Sequence, residues 1–173
     1  MNTAVNTTPR VYVGTYHKYN SGSISGAWID LDGLTYDEFM DKCRELHSDE
    51  QDPEFMFQDY EGFPERLYSE SDVSEVFQYL EDTAELSEDE AEAFEIYVND
   101  GNSPNVDEFR DAYVGCFTSY KVAEELAEWE LDQDCEFQAI PERFKYHFDY
   151  EAYGEELLIN EFWEHGGYVF RRM

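Results

Sequence analysis

Charge constrains this chain before any motif does. Its 173 residues carry 42 Asp and Glu against 11 Lys and Arg, a formal net charge of −31 with a pI near 4.1. Self-repulsion at that charge opposes the most compact shape, so an elongated molecule is expected. The chain still has material for a core: 42% of its residues are hydrophobic and 17% aromatic, whereas charge-driven disorder goes with few aromatics and little to bury. Its length suits one ordinary domain or two to three small modules. A partner that accepts such a surface must be strongly positive, and strongly positive grooves are commonest in proteins that bind nucleic acid.

Several classes are disfavoured. Cys43, Cys116 and Cys135 are an odd number without paired spacing, and the N-terminus lacks a basic region followed by an apolar stretch. Reduced thiols and a cytoplasmic location are therefore expected. No run of about 18 apolar residues occurs, and the acidity disfavours docking on anionic lipid, so no membrane partner is expected. Charge also opposes direct nucleic-acid binding, and Gly-rich phosphate loops are absent. His17, His47, His147 and His165 show neither an i, i+4 pair nor a neighbouring Cys at zinc spacing, so they read as satisfied or solvated side chains rather than ligands. In residues 99–104 an EF-hand frame with Gly101 at its sixth position puts Ile96 at the first, where Asp is required. No metal and no cofactor are expected. Carboxylate pairs are so abundant that none marks an acid and a base, so an enzyme is not expected either.

The elements expected along the chain define an α+β class. Residues 11–16 alternate, a polar loop follows at Asn20-Ser21-Gly22-Ser23, and Ala27-Trp28-Ile29 resumes, the pattern of two joined strands. Thr35 and Glu38 form a capping box for a helix with Phe39, Met40, Cys43 and Leu46 on one face. A third strand at residues 54–58 completes a small sheet, and Gly62-Phe63-Pro64 punctuates the chain.

Residues 67–109 hold fourteen carboxylates and no Lys or Arg. Helical periodicity runs through Val73, Val76, Phe77 and Leu80, and again through Ala91, Phe94 and Val98, where Ser87 opens a capping box and Asn99-Asp100-Gly101 closes the helix. Beyond Pro104, a helix starting at Asn105 is expected to carry Phe109, Ala112, Tyr113 and Cys116. Another starts near Ser119 with Val122, Ala123, Leu126 and Ala127 as its apolar face. Pro141 suits the first turn of a short helix, and residues 157–162 are expected to pair with 168–171 across Gly166-Gly167. The modules so defined are residues 1–62, a sheet with one helix; 63–103, an acidic helical pair; and 104–173, a mixed module expected to dimerise.

On the helix after Ser87, residues Glu88, Glu92 and Glu95 fall at i, i+4 and i+7 and share one stripe. Like charges at that spacing destabilise a helix by a few tenths of a kcal/mol per pair, about 0.2–0.5, so the pattern points to something other than fold stability. Duplex DNA carries one negative charge per roughly 1.7 Å, which makes −31 the charge of roughly 50 Å of duplex. One helical stripe supplies only about one charge per 5.4 Å turn, so phosphate-like density needs several elements together. The expectation is that the surface as a whole imitates a nucleic-acid backbone, with Asp72, Glu75, Glu81, Asp82, Glu88, Glu92, Glu95, Asp107, Asp111, Glu124 and Glu128 as the mimic charges. A merely soluble surface or adaptation to high salt would share this composition, as would an acidic chaperone for a basic protein.

Three separated stretches carry a resemblance. They are residues 11–22 with 26–31, residues 59–64 (Asp-Tyr-Glu-Gly-Phe-Pro), and Ile140-Pro141-Glu142-Arg143-Phe144 through Asp149-Tyr150-Glu151-Ala152-Tyr153-Gly154. Together they resemble the ArdA antirestriction proteins over nearly the whole chain from Val11. The resemblance implies three small modules, a homodimer, imitation of bent B-form DNA, and occupation of the DNA-binding groove of type I restriction–modification enzymes. It also implies a gene carried on mobile genetic elements. Residues 139–150 resemble the family's antirestriction motif, associated with dimerisation, which here places Ala139, Ile140, Pro141, Phe144, Tyr146, Phe148, Asp149 and Tyr150 in that role. Where family members commonly read Tyr-Gly-Arg-Asp-Leu, this chain has Tyr153-Gly154-Glu155-Glu156-Leu157.

Overall fold

Alternation in the first strand sets the inner face of a sheet: Val11 and Val13 are fully buried while Arg10 and Tyr12 on the other face are not. In the computed structural model, which describes residues 8–118 and 120–172, the chain divides into two compact units, Met1–Val106 and Asp107–Met173. Both are α+β. The expected helix start at Ser119 and the opening seven residues of the first expected module lie outside the described residues.

In the first unit, β1 (Arg10–Thr15) is the centre of an antiparallel sheet flanked by β2 (Ala27–Asp30) and β3 (Phe55–Glu61), in the order β2-β1-β3. The expected polar connection between β1 and β2 contains a short helix, α1 (Tyr16–Asn20), capped by the Thr15 hydroxyl, which accepts the Lys18 N–H. Helix α2 (Tyr36–Leu46) begins at the expected capping box, both halves of which are made. It lays Phe39 and Cys43 on the sheet, with Phe39 5.7 Å from Phe57. Burial pushes the Cys43 thiol up to about 12, so it is an inert core side chain.

β3 runs three residues beyond the expected strand. Its continuation is explained by pairing, because Tyr60 and Glu61 stand opposite Val11 and Arg10. The chain then turns through a 3-10 segment (Glu65–Leu67) and returns along β3, where the Phe57 N–H donates to the Glu70 carbonyl and the Tyr68 hydroxyl donates to that of Phe57. Helices α3 (Ser74–Ala84) and α4 (Glu88–Asn99) follow. Phe77 ties α3 to α2 by ring contacts to Phe39 at 5.5 Å and Tyr36 at 5.6 Å. Tyr79 stacks on Phe94 at 5.2 Å and ties α3 to α4.

The second unit holds α5 (Val106–Ala112), β4 (Tyr113–Cys116), α6 (Val122–Gln133), α7 (Cys135–Gln138), α8 (Glu142–Lys145), α9 (Tyr150–Asn160), β5 (Phe162–His165) and β6 (Tyr168–Arg171). Its sheet order is β4-β6-β5. Two expectations are corrected here. Tyr113 and Cys116 leave the helix that carries Phe109 and Ala112 and pair with β6, a tertiary contact that overrides local periodicity. Residues 157–160 belong to α9 rather than to a strand. Asp149 caps α9 by accepting the Ala152 N–H at 3.0 Å, and Gly154 and Leu157 form its buried face.

Leu157 joins Val122, Leu126, Phe162 and Val169 in the core of this unit. At Gly154 the helices α6 and α9 touch so closely that an added Cβ would collide with the Ala123 backbone, which fixes glycine there. The β5–β6 hairpin turns on the expected pair, Gly166 at φ +61 and Gly167 at φ +99, both in the region that favours glycine.

Candidate interaction surface

The acidic stripe is built by local signals. Ser87 accepts the Glu90 N–H while Glu90 accepts the Ser87 N–H, so α4 starts where expected. Its buried face is Ala93, Phe94, Tyr97 and Val98, with Ala91 only half-buried, and Glu88, Glu92 and Glu95 are exposed. Glu95 is exposed by area, yet protein atoms crowd its carboxyl enough that desolvation, followed by the Glu92 charge, raises its pKa.

The remaining expected mimic residues differ in role. Asp72 accepts the Ser74 N–H at 2.9 Å and its hydroxyl at 3.2 Å, so it helps begin α3 as well as carrying charge. Asp82 is half-buried and accepts from Gln78 at 2.9 Å, whereas Glu75 and Glu81 are exposed. Those seven residues belong to the first unit. In the second, Asp107 lies 4.0 Å from Arg110, Glu124 accepts from Lys121 at 3.0 Å, and Asp111 and Glu128 are exposed.

Residues 139–150 split into two sets. Phe148 and Tyr150 turn toward buried Phe137, with ring centroids 5.0 and 6.1 Å away and 5.0 Å from each other. Lys145 lies 5.4 Å over the Phe137 ring and pairs with Glu142 at 3.1 Å. Ile140, Phe144 and Tyr146 face outward, 39%, 54% and 87% exposed, while Pro141 flanks the start of α8 and Ala139 and Asp149 are exposed. The Arg143 guanidinium lies 4.8 Å over the Phe144 ring.

Sequence reasoning missed one polar cluster because Thr15 and Lys18 lie 29 and more residues from their partners His47, Asp49 and Glu50. Lys18 Nζ sits 2.9 Å from Asp49, 3.5 Å from Glu50 and 2.9 Å from His47 Nδ1. The buried Thr15 hydroxyl donates to Glu50 at 2.7 Å. His47 is buried, and its Nε2 contact of 3.2 Å to the Val13 carbonyl assigns the proton there, leaving Nδ1 to accept from the ammonium. The hydrogen bond to Asp49 raises the Lys18 pKa and lowers that of Asp49. His47, Asp49 and Glu50 present ligand atoms within 4.8 Å of one another, but the Lys18 ammonium already supplies the positive charge at their centre. The Ser48-Asp49-Glu50 run after a helix was the only sequence signal, and it named no partner.

At least seven of the eleven bases are spent in such pairs: Arg10, Lys18, Arg44, Arg110, Lys121, Lys145 and Arg171. Most carboxylates therefore have no base to neutralise them. Among the described residues no helix is long and apolar enough to cross a membrane.

These observations define a class: a highly acidic α+β protein that holds carboxylates outward on its helices and exposes Ile140, Phe144 and Tyr146. Within that class the chain belongs to the ArdA family, for the model of the antirestriction protein ArdA matches residues 11–170. No curated protein is similar enough to this chain to count as a match. Family membership makes it an antirestriction protein.

Proposed function

We propose that this chain is a non-catalytic DNA mimic that occupies the DNA-binding groove of a type I restriction–modification enzyme and blocks cleavage, and modification with it, in the cytoplasm of a cell that has received mobile DNA. The observation that carries this reading is the exposed Glu88, Glu92 and Glu95 stripe on α4, within a stretch where fourteen carboxylates meet no Lys or Arg. Carboxylates fixed on a helix present anions without a nucleotide, and a groove built for phosphates binds them by the same counterion-releasing electrostatics. The three modules 1–62, 63–103 and 104–173 each bring acids to the array, and no direct nucleic-acid binding or cofactor is involved.

The outward Ile140, Phe144 and Tyr146 support assembly into a homodimer through residues 139–150, since large apolar side chains gain most from burial at an interface core. A competition assay tests the reading: purified type I enzyme, labelled target DNA and this protein are mixed across a salt series. Displacement of DNA that weakens steeply with salt is expected. Tight binding to a basic nucleoid protein with no effect on the restriction enzyme would instead identify an acidic chaperone. Long-range charge is shared, so a single Glu→Gln change in the stripe lowers inhibition slightly and only multiple replacements abolish it.

A further inference from the structure

The face of the first sheet turned away from α2 is a lattice of paired side chains. Register sets Asp30, Arg10 and Glu61 in one row across β2, β1 and β3, and Trp28, Tyr12 and Asp59 in the next, and residues paired across antiparallel strands share a face. The Arg10 guanidinium lies 4.6 Å over the Trp28 ring. Its Nε and Nη2 both donate to one Glu61 oxygen, at 2.8 and 2.7 Å. Trp28 meets Tyr12 edge to face at 5.6 Å. The Tyr12 hydroxyl donates to the Ile24 carbonyl at 3.0 Å, which brings the 74% exposed Ile24 beside the lattice.

This face is open to solvent. Arg10 and Glu61 keep 37% and 39% of their side chains exposed, and Asp30 and Asp59 are exposed. A planar guanidinium stacked on an indole and forked onto a carboxylate is an arrangement that arginine makes well and lysine poorly. Three acids surround one base, so the face remains negative with Arg10 in place.

We propose that the outer sheet face is a docking site for an arginine of the partner protein, whose guanidinium takes the position that Arg10 holds over Trp28 and against Glu61. Arg10 is then an internal competitor, and Asp30 and Asp59 ring the incoming charge. The inference rests on reading the protein as an inhibitor of a protein with a basic groove. It adds a contact that reads the shape of the cation, which imitation of phosphate by an array of carboxylates does not do.

The test titrates the full chain with octa-arginine and with octa-lysine at fixed ionic strength, followed by calorimetry, in the wild type and in R10Q, R44Q and W28L. Arg44→Gln removes the same charge from the exposed pair with Asp41. Arg10→Gln is expected to widen the arginine-over-lysine preference by about two- to fivefold, Arg44→Gln to leave it unchanged, and Trp28→Leu to erase it. Equal effects of R10Q and R44Q, or a preference that survives W28L, overturn the proposal. If circular dichroism shows W28L unfolded, Trp28→Phe replaces it, with a reduced preference expected and an undiminished one overturning the proposal. Inhibition of the restriction enzyme by the same proteins separates the two readings. A wild type that does not inhibit breaks the functional reading, whereas undiminished inhibition by the folded Trp28 variant overturns docking at this face alone.

Discussion

Helices α4 and α6 are both twelve residues long and each carries five acids, Glu88, Asp89, Glu90, Glu92 and Glu95 in one and Glu124, Glu125, Glu128, Glu130 and Asp132 in the other. Their surroundings differ. α4 opens with its own capping box and lies in a stretch without bases. α6 has no side-chain cap bond at Lys121 and is held by Val122 and Leu126 in the core of its unit, with Lys121 on Glu124 at 3.0 Å and Arg171 3.7 Å from Glu130. The Thr118 N–H donates to Glu125 at 2.7 Å and lowers its pKa, whereas crowding and Glu92 raise that of Glu95. Equal acidity thus has different consequences: in α6 Glu124, Glu125 and Glu130 meet a base or a backbone N–H, whereas α4 holds Glu88, Glu92 and Glu95 out at some expense to the helix.

The comparison breaks or sharpens at measurable points. Phe94→Ala removes the ring stacked on Tyr79 and should destabilise the first unit by about 3–5 kcal/mol in urea unfolding; a loss below 1 kcal/mol would mean that α4 does not depend on its aromatic seat. Gly154→Ala forces a methyl group into the Ala123 backbone and should destabilise the second unit by about 1–3 kcal/mol. An unchanged melting temperature there would deny the close α6–α9 crossing.

Charge changes come next. Glu92→Gln relieves repulsion along the α4 stripe and should stabilise by about 0.2–0.5 kcal/mol, whereas Glu125→Gln weakens a charge-assisted bond to Thr118 and should lower the melting temperature. The same sign for both substitutions would remove the contrast.

Acid titration is the finest probe. The folded Glu95 has a raised pKa, so the folded state takes up a proton first, and the contribution of this residue to stability rises as pH falls into the carboxylate range. The folded Glu125 has a lowered pKa, so its contribution is present above the ordinary carboxylate pKa and is lost as pH falls through the folded value. Difference curves of unfolding free energy against pH, wild type minus Glu95→Gln and wild type minus Glu125→Gln, should slope in opposite directions across that window; parallel curves would show that the two carboxylates share one environment.

Much of the local architecture was legible because its causes are local. The capping boxes at Thr35 and Ser87, the alternation of Val11 and Val13, and the Gly166-Gly167 turn each act within a few residues, and each element formed where expected. Tyr113–Cys116 was misread because its strand exists through pairing with Tyr168–Arg171, more than fifty residues on. Residues 157–160 were misread because a short apolar run looks the same in a buried strand and in a buried helix turn. At the candidate surface, the α4 stripe followed from spacing alone. The division of residues 139–150 into inward Phe148 and Tyr150 and outward Ile140, Phe144 and Tyr146 did not, because only the position of Phe137 sets which rings turn in.

The sequence by itself determined the sign and amount of charge, the capped starts of α2 and α4 and the inner face of the first sheet, since each depends on composition or on neighbours along the chain. Tertiary structure alone decided which carboxylates are spent on Lys18 and Arg171 and which face water, and it alone brought Arg10, Trp28 and Glu61 together. Coulombic and stacking interactions act over a few ångströms in space, and residues far apart in sequence come that near only after the strands and helices have packed.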